Sequence, residues 1–253
     1  MHKLPQLMTY VINLDRSTER MAAMEARLQP MGLRWTRVSA VEGKLLDLAT
    51  LPELSVPGFL AKHGRQPKAA EVGCYLSHLK IYQAFLAQGE AQFALVLEDD
   101  AIFAPDFTEV LEALCQAADD WDLVRLSGFH SGGPVGIRQL TPERELAIMF
   151  FQQTNSAAYI INRQAAQALR SRLVPITLPF DHAFDRPWHV GIKARMVSPL
   201  PVQLDWAQES TIGYLPADSG KLPWYRRFST HRHRVINELR RGAHSLADWL
   251  KHR

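Results

Sequence analysis

Five apolar residues, Phe93-Ala-Leu-Val-Leu97, run straight into three carboxylates, Glu98-Asp99-Asp100. The apolar run reads as a strand buried on both faces, and three acids at its C-terminal end are costly to keep there without a partner. In open α/β sheets, ligands bind outside the carboxyl ends of the strands. A hard divalent cation, which wants oxygen ligands, would suit that edge, and such a cation could hold a diphosphate. The same acids could instead cap the next helix, whose N-terminus favours negative charge, or face solvent.

Three further segments carry residues able to do chemistry. In Val11-Ile-Asn-Leu-Asp-Arg16, Asn13 and Arg16 stand at the end of a first strand, with Arg20 a turn onward. Arginines at such an edge bind phosphate or a uracil edge bidentately, unless they are surface arginines at a helix start. In Glu71-Val-Gly-Cys-Tyr-Leu-Ser-His78, a glutamate, a glycine and a histidine bracket a helix entry. Alone, that segment reads as a helix start with a satisfied histidine. In Asp181-His-Ala-Phe-Asp185 two acids lie four apart, which on a helix places them on one face.

The elements that must position these residues alternate between strand and helix. Thr9–Leu14 has strand character, and Met21, Met24 and Leu28 make a helical stripe that ends near Pro30-Met-Gly32. Trp35–Ser39 is a second strand, completing a βαβ unit. Residues 44 to 70 read as a long loop with one short helix. A helix spans Cys74 to Gln88, strand 93–97 follows, and Phe107, Val110, Leu111 and Leu114 mark the next helix. Strands are predicted at Leu123–Leu126, Ala157–Ile161 and Ile192–Val197, with Asn162 as N-cap of a helix from Arg163 to Leu173. The glycine-rich stretch His130–Gly136 lacks the strand–GxxxxGK[ST]–helix pattern of a P-loop. This order predicts a single α/β domain.

The bulk numbers agree with an ordinary globular chain: 253 residues, 47% apolar and 22% charged. Cys74 and Cys115 read as small hydrophobes in a reducing compartment, with no metal-ligand spacing nearby. The N-terminus lacks the apolar stretch of a signal peptide, and the expected location is the cytoplasm or the inner face of the inner membrane. Between Lys221 and Arg253 there are nine Lys/Arg and two Asp/Glu, against a mildly acidic remainder. Val235, Ile236, Leu239, Leu246 and Leu250 fit one side of a helix interrupted at Gly242. A basic amphipathic helix with tryptophan suits an anionic membrane surface; the other reading is a helix packed on the body. No nucleic-acid-binding module is recognisable.

Taken together and in this order, the segments resemble glycosyltransferase family 25, which includes lipooligosaccharide galactosyltransferases and collagen galactosyltransferase domains. The matching pieces are Tyr10–Arg16 with Arg20, Ser39-Ala-Val-Glu-Gly43, Glu71–His78, Leu95–Asp100, Ala157–Ile161, Pro179-Phe-Asp181, and Gln203 with Glu209-Ser-Thr-Ile212. Glu42 stands where the family usually has aspartate, and Phe180 where it has a small aliphatic residue.

The resemblance implies a GT-A-like, Rossmann-type nucleotide-sugar-binding domain over 1–215; the charge and apolar pattern of the tail adds a basic amphipathic helical segment over 216–253. It implies an inverting transfer of a hexose, galactose from UDP-galactose first, with UDP-glucose and UDP-N-acetylhexosamine as alternatives and a lipid-linked oligosaccharide as acceptor. A catalytically inactive, membrane-associated scaffold is the non-enzymatic alternative. The metal, Mn²⁺ or Mg²⁺, is expected at Glu98 and Asp100. Asn13, Arg16, Arg20, Glu71, Ser77, His78 and Asp99 are expected around the nucleotide. Asp181 is the first choice for the base that deprotonates the acceptor hydroxyl, and Asp185 the second.

Overall fold

A computed structural model describes residues 4–205 and 220–252. Its frame is an eight-stranded mixed sheet in the order β2-β1-β3-β8-β5-β9-β7-β6. The strands are β1 (Leu7–Asn13), β2 (Trp35–Ser39), β3 (Phe93–Glu98), β5 (Leu123–Arg125), β6 (Pro134–Thr141), β7 (Arg144–Met149), β8 (Ala158–Asn162) and β9 (Ala194–Ser198). β4 (Ala101–Phe103) and β10 (Val202–Leu204) form a separate antiparallel pair. The helices are α1 (Thr18–Leu28), α2 (Val56–His63), α3 (Ala69–Ala87), α4 (Phe107–Gln116), α5 (Arg163–Arg172), α6 (Phe180–Phe184), α7 (Pro187–Val190) and α8 (Phe228–Trp249).

The sheet is covered on both faces, which explains its continuous apolar runs. Successive side chains of a strand point to opposite sides. Tyr10 and Ile12 of β1 and Ala94 and Val96 of β3 therefore meet Tyr75, Ile81, Tyr82 and Phe85 of α3. Leu7 and Val11 of β1, with Leu95 and Leu97 of β3, meet Met24 and Leu28 of α1 and Val110, Leu111 and Leu114 of α4. Two apolar layers on one sheet make an α/β/α sandwich. Asn162 caps α5 as expected, its side chain accepting from Ala165 N at 2.8 Å.

Two elements depart from the sequence reading. The stretch 130–136 is loop only as far as Gly133, after which β6 pairs with β7 in an irregular hairpin. Helix α3 begins at Ala69, five residues earlier than its apolar stripe indicated.

Helix α8 docks on the body and runs through Gly242 without interruption. Its docked side is polar: Thr230, Arg241 and Ser245 are buried, and Ser245 Oγ donates to Met149 O at 2.7 Å. Asp248 accepts from the buried Arg195 at 2.5 Å. The expected boundary at residues 215 and 216, and the segment Glu209-Ser-Thr-Ile212, lie outside the described residues.

Candidate active site

β1, β2 and β3 are parallel neighbours whose C-terminal ends lie level, with Asn13 opposite Ser39 and Ile12 opposite Glu98. Across β3 the chain direction reverses, because β8 pairs with it antiparallel. These strand ends, the loop after β2 and the start of α3 enclose a cavity of about 130 Å³. Asn13, Arg16, Arg20, Lys44, Cys74, Ser77 and Glu98–Asp100 line it. The loop after β2 approaches α3 backbone to backbone. A Cβ on Gly73 would stand 2.6 Å from Val41 O, and one on Gly43 would stand 2.3 Å from Ala69 O. Glycine at both positions therefore sets the width of the cleft.

The three acids occupy three different environments. Asp99 is braced: Asn13 Nδ2 donates to it at 2.6 Å, and Arg20 pairs with its other oxygen. Burial still raises its carboxyl above the usual range, against the pull of Asn13 and Arg20. Glu98 accepts from Ser156 Oγ at 2.9 Å, and His78 Nε2 lies 3.6 Å away, just beyond hydrogen-bond reach. Burial acts to raise Glu98, but His78 and Ser156 outweigh it and hold the carboxyl below its usual value. Asp100 has one oxygen 3.4 Å from Arg20, while its buried Oδ1 has no hydrogen-bond partner. Burial, and then the charge of Glu98, push Asp100 up to about 7.

An orphaned carboxylate oxygen beside a second, ionised carboxylate fits a hard divalent cation, which would let both acids stay charged. A second donor set shares Glu98: Cys74 Sγ, the His78 ring and Glu98 lie within 4.8 Å of one another. Cys74 thus does have a metal-ligand neighbour, one helical turn along α3, contrary to the sequence reading. Its thiol is pushed well above the usual range by burial and then by Glu98 and the other nearby acids. A sulfur held protonated among carboxylates suits Mn²⁺ or Mg²⁺ poorly, so Glu98 and Asp100 are the better seat.

Not all of the expected nucleotide contacts face the cleft. His78 is fully buried, hydrogen-bonded through Nδ1 to Tyr159 OH at 2.8 Å and stacked on Phe180 at 3.9 Å. It backs Glu98 and cannot itself reach a nucleotide. Ser77 is also buried; its hydroxyl donates to Gly73 O at 2.7 Å and accepts from Val41 N at 2.8 Å, tying the loop to α3. Glu71 folds back on its own helix N-terminus, accepting from Lys68 N at 3.4 Å, and does not line the cavity. Asn13 is saturated by Asp99, Ser17 and Arg37. Arg16 is exposed at the cleft and pairs with Glu42.

The two candidate bases separate. Asp181, in α6, is half-buried and accepts from the backbone N–H of Asn155 at 3.2 Å. Asn155 has φ of 87°, a left-handed conformation that costs about 1 kcal/mol or more and tends to persist at functional sites. Its side chain is held by Ser127 at 2.7 Å and by Ala157 N at 2.8 Å. Asp185 follows α6 and shares no helix face with Asp181. It is fully buried between Arg125 at 3.0 Å and Arg241 at 2.7 Å, so the expectation of a second base there is corrected: its oxygens are spent on two guanidiniums. Asn155, Ser156 and Tyr159 were missed by the sequence reading. The Asn-Ser pair before a strand was the available signal, since asparagine tolerates positive φ.

The family model for glycosyltransferase family 25 (LPS biosynthesis protein) matches residues 6–132, half of the chain. A human protein named inactive glycosyltransferase 25 family member 3 is 35% identical over 147 residues, covering 55% of this chain and 23% of that protein. Procollagen galactosyltransferase 1 of Danio rerio is 33% identical over 123 residues, covering 46% and 20%. A glycosyltransferase 25 family member of Drosophila pseudoobscura pseudoobscura is 34% identical over 209 residues, covering 74% and 32%. The chain spans less than a third of the length of these relatives.

Proposed function

The chain belongs to glycosyltransferase family 25, and on that premise we propose that it moves a hexose from a UDP-sugar, galactose from UDP-galactose first, onto a sugar hydroxyl of a lipooligosaccharide-type acceptor. The observation that carries this reading is the cleft at the ends of β1, β2 and β3, with an orphaned oxygen of Asp100 beside Glu98. Arg16 and Lys44 line the same cleft and bring positive charge to a diphosphate. When bound, a divalent cation at Glu98 and Asp100 supplies Lewis-acid stabilisation of the leaving diphosphate. Arg20 and Asn13 hold Asp99 and so fix the strand end that presents both acids.

Asp181 is the proposed base. Its carboxylate takes the proton of the acceptor hydroxyl as that oxygen attacks the anomeric carbon from the face opposite the departing UDP, which inverts the configuration. Asn155 N–H steadies one carboxylate oxygen during this transfer.

We also propose that the enzyme works at the inner face of a membrane, lying on it through α8. At 100° per residue, Phe228, Val235, Ile236, Leu239, Leu246 and Leu250 fall within an arc of about 100°. That arc faces solvent: Val235 is 61%, Leu239 69% and Phe228 78% exposed, with Trp224 at 77% beside them. Arg232 lies within the arc and Arg240 flanks it, and both are exposed. A second copy of the helix would bury Arg232 against its mate, whereas anionic lipid lets it snorkel to phosphates. No described helix is long and apolar enough to cross a membrane.

A non-catalytic reading has one observation in its favour, the word inactive in the human relative's name. Calorimetric titration with UDP, in Mn²⁺ and in EDTA, tests the donor site. Binding should require the metal and be lost in a folded Asp100→Asn variant. Binding indifferent to both would overturn the metal assignment.

A further inference from the structure

A larger cavity, about 660 Å³, is walled by α2, the loop at 130–133, α6 and α8. Its size suits a small saccharide, and its wall is one-sided in charge. Lys62 and Arg234 reach it from two helices, and His63, His182 and His233 add three more nitrogen rings. Neither Lys62 nor Arg234 forms an ion pair with a described residue; Lys62 Nζ donates only to Thr177 Oγ1, at 2.9 Å. The single acid in the wall, Glu238, already stands 3.6 Å from Arg241.

We propose that this cavity is the acceptor subsite and takes a saccharide that carries an anionic group, phosphate or carboxylate. The proposal rests on the transferase reading and names its acceptor class. His182, in the cavity wall, directly follows Asp181, so one short helix carries both a wall residue and the proposed base. Gln152 Nε2 donates to His182 Nδ1 at 2.7 Å, which leaves the ring proton on Nε2 as a donor for the ligand. Phe151, 65% exposed at the rim, offers a flat apolar face to a sugar ring. That ring lies over Gly133, where a Cβ would stand 2.4 Å from it. The loop is pinned from below by buried Gln153, which accepts from His130 N at 2.9 Å and donates to His130 O.

Burial first, and then the neighbouring positive groups, act on the histidines. His63 is driven down to about 3 by burial and then by His182, Arg65 and Arg234. His233 is driven down to about 4 by burial and then by Arg186 and Lys62. An anion would offset this repulsion, where a neutral sugar would not.

The test is calorimetry on the full chain at pH 7 with UDP and Mn²⁺ present, so that the donor cleft is filled. Galactose 6-phosphate, galactose and inorganic phosphate are the probes. Galactose 6-phosphate should bind at least tenfold more tightly than either of the others. The Lys62→Gln/Arg234→Gln variant should lose that advantage while its affinity for UDP stays unchanged. Phe151→Ala should weaken galactose and its phosphate alike. A sugar phosphate no tighter than galactose, an advantage kept by the double variant, or inorganic phosphate binding equally well would each overturn the proposal. Failure to bind UDP would instead strike the donor site, and the three-probe comparison would still read the second cavity.

Discussion

Removing Asp185 should unfold this protein sooner rather than disarm it. The carboxylate lies between two guanidiniums that are themselves buried, with side-chain exposures of 1% for Arg125 and 3% for Arg241. In Asp185→Ala each arginine keeps one neutral acceptor: Asn155 O for Arg125, and the residue 185 carbonyl, at 3.1 Å, for Arg241. Arg125 loses its only ion-pair partner, and Arg241 keeps just the half-exposed Glu238, at 3.6 Å. Stripping one partner from a buried ion pair costs about 3–5 kcal/mol, a large fraction of the roughly 5–15 kcal/mol that holds a domain folded. For a chain of this length the melting temperature should fall by about 6–20 °C. Denaturant unfolding of Asp185→Ala, Arg241→Met and the double variant checks the origin of the loss. The double variant should be more stable than the sum of the singles predicts by about 1–3 kcal/mol. Activity measured well below the transition should survive to within about tenfold, the residue of a weakened hold on Asn155 and through it on Asp181. A variant as stable as the parent to within about 1 kcal/mol would refute the network. A folded variant as inactive as Asp181→Asn would return Asp185 to the reaction.

Other expectations follow from the same geometry. Asp181→Asn should lower kcat by roughly 10²–10⁴ with UDP affinity unchanged, read by initial rates beside calorimetry. Gly73→Ala should cost about 1–3 kcal/mol by forcing α3 from the Val41–Gly43 backbone; Gly89→Ala, which meets nothing within 4 Å, serves as the control. Leu239→Glu/Leu246→Glu, on the exposed side of α8, should leave the melting temperature alone. It should cut co-sedimentation with phosphatidylglycerol vesicles at least tenfold; unchanged co-sedimentation would sink the membrane face, and a concentration-dependent dimer lost in the variant would assign the face to a second copy.

Much of the frame was legible because its physics is local. β1 and β3 are buried on both faces, so their sequences are continuous apolar runs, and the acids that end β3 mark the strand edge where ligands gather. The β6–β7 hairpin was not legible, because β6 is largely exposed and broken by register shifts around Gly136 and Gln139. The early start of α3 was hidden by an unusual cap: Lys68 is no typical N-cap residue, and Glu71 completes it from within the helix. That is why Glu71 read as a cleft residue. Asp185 misled for a different reason. Its partners lie 60 and 56 residues away in the chain, and no local pattern distinguishes a buried ion-pair aspartate from a base one turn from another acid. The amphipathic character of α8 was plain, but which side would dock was not. Polar Arg241, Ser245 and Asp248 find partners on the body, and the apolar side is left outside.

The most direct measurement is release of UDP from UDP-galactose by the purified chain, with Mn²⁺ and with EDTA, in the parent and in Asp100→Asn. The account predicts slow release in Mn²⁺, none in EDTA, and none from the variant although it remains folded. Release that continues unchanged in EDTA and in the variant would contradict the assignment of the metal to Glu98 and Asp100. No release from any UDP-sugar, with no binding of UDP, would contradict the transferase reading itself.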